Sequence, residues 1–363
     1  MTAHVAIIGA GPAGSFAAIL LARAGRQVTL IEQHRFPRDK VCGECLSADG
    51  IDALDQIGLS SELLTLRPVV FTHAAIHAPD GASVRLALPR PMWGISRHRL
   101  DGFLLETARA SGATVLQPAR CEGIEAGTPA GLRIRLLDSN RVIAAKADRV
   151  ILADGKGSLL SNPPPRTRDF GIKAHFDGVD GPRDTIELFG CNGLYGGLAA
   201  IEDGRWNAAF SVPADRLKKH RGDVAALFAQ IVEENPTLRA RMSAARKVGQ
   251  WLASPLPRFG VQDPWPNRVI AVGNAAAAIE PIGGEGMGLA LQSALAAVSS
   301  LLDEEETRST ALPEPYRRLW RTRRPSCRTA AMLVSRPALV RSLIPILAAS
   351  PMLGRAGLRL LGK

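Results

Sequence analysis

Val5-Ala-Ile-Ile-Gly9-Ala-Gly11-Pro12-Ala13-Gly14 opens the chain, and a small-residue segment leads from it to Val28-Thr-Leu-Ile31-Glu32. Val5–Ile8 is a short apolar run, as expected of a strand buried on both faces. Gly9 permits a tight turn, Gly11 lets backbone approach a pyrophosphate, and Gly14 lets the next helix pack closely on the strand. Pro12 suits the first turn of that helix, whose free N–H groups and partial positive charge attract phosphate. Ala17, Ala18, Ala22 and Ala24 keep the helix slim, and Gly25 is placed to end it. Glu32 closes the second strand, where its carboxylate can accept from both hydroxyls of a ribose and disfavour a 2′-phosphate. Spacing, context and terminal acid together predict a dinucleotide-binding unit.

Working outward, 363 residues suit two interleaved domains better than one simple core. The apolar and charged fractions, 46% and 22%, are those of an ordinary globular chain. The glycine turn begins within ten residues of Met1, so no cleavable leader is expected. Five irregularly spaced cysteines fit a reducing compartment, and the expected location is the cytoplasm. The net charge of +11 is concentrated: residues 311–363 hold ten Arg and one Lys against Glu314 alone, which is 11 − 1 = +10. A general nucleic-acid binder would spread its charge, and no nucleic-acid motif is visible.

Further along, Val150–Ala153 reads as a second buried strand ending in Asp154-Gly155, and Val269–Val272 as a third ending in Gly273-Asn274. Helices are expected over Ala48–Leu59, Leu100–Ser111 and 222–234, with a returning parallel strand at Ala113–Leu116. A hairpin is expected with strands near Leu132–Leu137 and Val142–Ala147. Between 168 and 258, strand-like runs (Gly171–Phe176, Thr185–Phe189, Leu194–Ile201, Trp206–Val212) follow one another with a single helix, which predicts an antiparallel sheet. The expected class is therefore α/β. A Rossmann-like domain of glutathione-reductase type (1–70, 95–165 and 260–310) would interleave with an antiparallel substrate domain (71–94 and 166–259). A basic helical segment (311–363) would follow, broken into short helices by Pro325, Pro337, Pro345 and Pro351.

The order GxGxxG with Glu32, then Asp154-Gly155, then Gly273-Asn274 with Glu280-Pro281-Ile-Gly283-Gly284-Glu285-Gly286-Met287 resembles the para-hydroxybenzoate hydroxylase-like flavoproteins. Their geranylgeranyl reductase-like branch is the most similar, and the resemblance runs to about residue 310. It implies FAD, with the ADP half gripped by residues 9–14, Glu32, Gln33 and Arg38. Arg97 would contact the cofactor, Gly273-Asn274 would reach the ribityl chain, and Pro281–Met287 would cradle the isoalloxazine. Glycines at 283, 284 and 286 suit close approach to a planar ring. The helix beginning near Met287 can stabilise negative charge on the reduced ring. Most relatives have Asp where this chain has Asn274, an uncharged donor and acceptor.

Cys42-Gly43-Glu44-Cys45 stays open to three readings: a flavin-side loop, as the Lys40-x-Cys42-Gly43 resemblance implies, a structural turn, or a redox pair. No second CxxC or His pair completes a zinc site, so no metal is expected. Leu194-Tyr195-Gly196-Gly197-Leu198 and Gly204-Arg-Trp-Asn207 resemble the strand pair roofing the flavin. No catalytic residue can be fixed; Cys42, Glu44, Tyr195 and Glu285 are the flavin-side candidates.

With one GxGxxG, reducing equivalents would come from transiently docking NAD(P)H or another donor. The resemblance favours a monooxygenase using O2 on an apolar or aromatic, lipid-like or carrier-bound small molecule. Reduction of carbon–carbon double bonds is the alternative, and a flavoprotein that matures or partners another protein is a third. Halogenation is disfavoured, because the Trp-x-Trp-x-Ile-Pro element of flavin halogenases is missing. The basic tail either packs as helices with arginines on the wet side, or meets an anionic membrane at the inner surface or an acidic carrier protein.

Overall fold

The computed structural model describes residues 3–125, 127, 129–155, 159, 169–262, 264–303 and 314–362. The expected boundaries near 165 and 311 lie outside these residues. Five strands form a wholly parallel sheet in the order Val269–Ala271, Arg149–Leu152, His4–Ile8, Gln27–Ile31, Thr114–Leu116. Because the strands run one way, the turns after residues 8, 152 and 271 collect at one edge, where such sheets bind ligands. Two helices, Arg97–Ala110 and Gly286–Leu302, pack against a third, Pro12–Arg23. Pro12–Arg23 is buried along most of its length, and its small residues allow that.

The second sheet has eight strands in the order Arg246–Pro255, Asp169–Asp177, Trp206–Pro213, Leu194–Ala200, Thr185–Cys191, Val69–His77, Ser83–Gly94, Cys45–Leu46. It corrects the antiparallel expectation at one place: Thr185–Cys191 pairs with Val69–His77 in parallel. The chain reaches residue 185 after a long excursion through the first sheet, so no tight hairpin dictates the direction. A three-stranded antiparallel sheet, Ala119–Glu125, Ala130–Leu136 and Arg141–Ala147, contains the expected hairpin. The single helix expected near 222–234 is one of three, Ala214–Lys219, Val224–Glu233 and Pro236–Met242.

The tail departs further from expectation. Pro325 lies inside the unbroken helix Glu314–Val334, and Pro345 lies inside Pro337–Ala349. Only Pro337 and Pro351 stand at helix starts, where a missing N–H costs nothing. Packing holds the two interior prolines in helix: Tyr316, Trp320 and Cys327 join the core of the parallel-sheet region, while Val340, Ile344 and Leu358 join that of the eight-stranded sheet. The tail thus stitches both units together. No single helix among the described residues is long and apolar enough to cross a membrane. One bent pair, Tyr316–Val334 with Pro337–Ala349 at 109°, passes by length and composition only.

Candidate functional site

At the first turn Gly9 has φ +101°, and a Cβ there would sit 2.4 Å from the Ala153 carbonyl oxygen. A Cβ on Gly14 would sit 1.8 Å from the Gly9 oxygen. Both contacts are with backbone, so only glycine fits. Gly11 caps helix Pro12–Arg23 without a side-chain hydrogen bond, leaving its first N–H groups open to an anion. Glu32 is buried, and its carboxylate accepts from Ala10 N at 2.8 Å and His34 N at 2.7 Å. It therefore fixes the glycine turn. Gln33 is exposed and accepts from Arg120 Nε at 3.0 Å.

Arg38 lies 4.9 Å over the Phe36 ring, and its Nε is buried without a hydrogen-bond partner. Burial lowers its pKa. A buried guanidinium nitrogen left without an acceptor points to an anionic ligand. Arg97 is buried and grips Asp101 with two hydrogen bonds of 2.6 Å. Burial opposes its charge, but the Asp101 carboxylate outweighs that and raises its pKa.

One cavity of about 270 Å³ joins the two glycine turns: Gly11, Pro12 and Ala13 line it, and so do Pro281, Gly284, Gly286 and Met287. Arg97, Gly155, Gly273 and Asn274 line it as well, and Asn274 is exposed. Gly273 N donates to Ser293 Oγ at 2.7 Å, which ties this turn to helix Gly286–Leu302. Three expected site residues are held by other contacts. Asp154 accepts from Leu159 N at 3.1 Å and does not line the cavity. A Cβ on Gly283 would meet the Leu361 oxygen and Cys327 Sγ, so the end of the tail governs this glycine. Glu285 is buried against Arg323, at 2.6 Å, rather than at the cavity wall. The glycine cradles, the open helix terminus and the orphaned Arg38 nitrogen fit FAD.

The loop after Lys40 runs along the cavity through Cys45. All five cysteines are free thiols. Cys42 Sγ accepts from Glu44 N at 3.4 Å, and Cys45 Sγ faces Gly43 O at 3.4 Å. Glu44 has φ +57°, a left-handed conformation that costs a non-glycine residue energy. Its fully buried carboxylate repays that cost by accepting from Arg97 N at 2.8 Å, Lys173 Nζ at 2.6 Å and His175 Nε2 at 2.7 Å. Burial alone would push its pKa up, but the His175 hydrogen bond and the Lys173 charge prevail and lower it. Asp39, Glu44 and His175 bring potential ligand atoms within 4.8 Å of one another. Lys173 already supplies the cation there, 3.5 Å from Asp39.

Sequence reasoning missed Lys173 and His175. Their signal was two basic groups, two residues apart, on one face of a strand that is otherwise apolar between its terminal aspartates. It also gave no role to Glu280, whose carboxylate accepts from the Tyr195 hydroxyl at 2.7 Å. Tyr195 lines the cavity. Burial first, and then the Glu280 charge, hold its phenol well above its usual pKa. Burial raises Glu280 too, against the opposing Tyr195 hydrogen bond.

A family model for an FAD binding domain matches residues 2–165. The chain is 27% identical to a menaquinone reductase of Mycolicibacterium smegmatis over 99% of its own length and 91% of that protein. It is 28% identical to a kynurenine 3-monooxygenase of Stenotrophomonas maltophilia over 84% of its length and 74% of that protein. Its fold matches a geranylgeranyl bacteriochlorophyll reductase-like structure from Thermoplasma acidophilum with a TM-score of 0.80 and 19% identity, over 100% of this chain and 96% of that one. The chain is an FAD-dependent oxidoreductase whose residues 2–165 match an FAD binding domain, and its fold is that of the geranylgeranyl bacteriochlorophyll reductase-like structure.

Proposed function

We propose that this enzyme reduces a carbon–carbon double bond of an apolar, quinone- or polyene-type small molecule, with NAD(P)H docking transiently to supply the electrons. The observation that carries the reading is the Tyr195–Glu280 pair, a phenol hydrogen-bonded to a carboxyl group and set in a wall of Ile172, Ile186, Leu188, Leu198 and Phe210. FAD, when bound and reduced, would supply a hydride to one carbon. Tyr195 would give its hydroxyl proton to the other, Glu280 would hold the hydroxyl in place, and solvent would restore the proton once product leaves. A phenol held well above its usual pKa is a reserve of protons rather than a base, which suits a carbanion-like partner better than an ionising phenol. The apolar wall excludes water and seats a greasy chain. The full-length similarity to a menaquinone reductase supports the same reading.

Hydroxylation with O2 is the second reading, favoured by the similarity to kynurenine 3-monooxygenase and by Glu280, whose raised pKa brings it nearer to that of a useful base. The two separate cleanly. Under strict anaerobiosis, the NAD(P)H-reduced enzyme is expected to return a product heavier by two hydrogens from menaquinone or a polyprenyl alcohol. Turnover that demands oxygen and adds an oxygen atom establishes the hydroxylase instead. Tyr195→Phe is expected to lower kcat about a hundredfold while KM and the flavin spectrum hold. An unchanged kcat removes Tyr195 from the proton path.

A further inference from the structure

The last helix, Pro351–Leu360, turns apolar side chains outward. Its buried side is narrow, formed by Gly354 and Leu358, and a Cβ on Gly354 would already strike Leu86. Met352, Leu353, Ala356 and Leu360 share the opposite arc by helical spacing. Met352 is 82% exposed, Leu353 55% and Leu360 61%. Arg355 and Arg359, both exposed, border that stripe. The preceding helix adds exposed Ile346, and its exposed Arg341 lies 3.8 Å from Asp80. Along Glu314–Val334, exposed Arg318, Arg321, Arg324 and Arg328 recur at helical spacing, and Glu314 is the single acid in residues 314–362.

The rest of the chain is nearly neutral, since 11 − 10 = +1. Hydrophobic side chains this exposed are costly in water unless something covers them. An apolar stripe edged by arginine, on a segment carrying one acid, matches the interface of a negatively charged bilayer, where hydrocarbon lies beneath a plane of phosphates. We propose that the C-terminal helices are a docking surface for an anionic phospholipid membrane. Met352, Leu353 and Leu360 enter the headgroup region, Arg355 and Arg359 rest on phosphates, and the arginines of Glu314–Val334 add longer-range attraction. This holds whichever reaction the flavin site performs.

The test is sedimentation of the FAD-loaded full chain with phosphatidylcholine vesicles and with vesicles that also contain phosphatidylglycerol. Binding is expected to the anionic vesicles only and to fall with salt. Arg355→Glu with Arg359→Glu is expected to weaken it at least about tenfold. Met352→Ser with Leu353→Ser and Leu360→Ser is expected to do the same at unchanged charge. Arg133→Glu with Arg141→Glu, on the three-stranded sheet, is expected to bind like wild type. Equal binding to both vesicle types, binding to neither, or indifference to the helix substitutions overturns the proposal. So does capture of an acidic polypeptide by a chain that ignores vesicles. Retained FAD shows that each variant is folded, and the wild-type comparison between vesicle types decides even where a variant fails.

Discussion

Glu44→Ala is expected to destabilise the protein by about 3–5 kcal/mol, because it takes the nearest anion from the buried Lys173 ammonium and leaves His175 without its acceptor. Lys173 is 1% exposed, and Glu44 Oε1 holds it at 2.6 Å; His175 loses its 2.7 Å partner at the same time. The backbone N–H of Arg97 also loses its acceptor, at the first residue of helix Arg97–Ala110. That residue and the Lys40–Cys45 loop both line the cavity, so FAD retention is expected to fall together with the urea midpoint. Glu44→Gln keeps an oxygen for Arg97 N but no charge, and is expected to fall between. The pH dependence has a definite sign. The folded carboxyl has a pKa below its usual 4.5, so its contribution is complete above that value and is lost as pH falls through the lowered one. The stability gap between wild type and Glu44→Ala is therefore expected to be constant near neutrality and to narrow in acid below about 4.5. A gap that widens in acid means that this carboxylate is not the anion of the cluster.

What could be read from the sequence was whatever a few neighbouring residues decide. Gly9 and Gly14 announce themselves because the backbone contacts that require them lie within one strand–turn–helix unit. The three buried strands ending at Leu152, Ala271 and Ile8 show as apolar runs for the same reason. The Glu44 cluster did not show, because Lys173 and His175 meet Glu44 across about 130 residues, and only the packing of strand Asp169–Asp177 over the loop brings them there. Tyr195 and Glu280 likewise meet across 85 residues. Glu285 misled in the opposite way. Its place in a glycine-rich loop suggests the flavin, yet Arg323, which no local pattern connects to it, draws its side chain to the far side. Pro325 misled because propensity speaks only for an isolated helix, and here Tyr316, Trp320 and Cys327 bury one face of that helix in a core.

Arg323→Leu carries the same order of penalty, about 3–5 kcal/mol, and it reaches the flavin by another route. The Arg323 guanidinium is buried between Glu285, at 2.6 Å, and Asp49. Glu285 precedes helix Gly286–Leu302, whose N-terminus borders the cavity, and Gly362 packs so tightly over the pair that a Cβ would lie 2.7 Å from Glu285 Cδ. Removing the guanidinium leaves a buried carboxylate beside the helix terminus that should favour negative charge on reduced flavin. Stability, measured by urea unfolding, is expected to drop, and the midpoint potential of bound FAD is expected to fall because added negative charge opposes reduction. Glu285→Leu with Arg323→Leu removes both charges and fills the space with apolar atoms, so it is expected to recover most of the stability and the potential together. Arg323→Lys keeps a cation but not a fork that spans two carboxylates, and is expected to recover the potential more fully than the stability. If the double variant restores stability while the potential stays low, the charge at Glu285 is not what the flavin senses, and the tail acts on the cavity through packing at Gly283 and Gly362 alone.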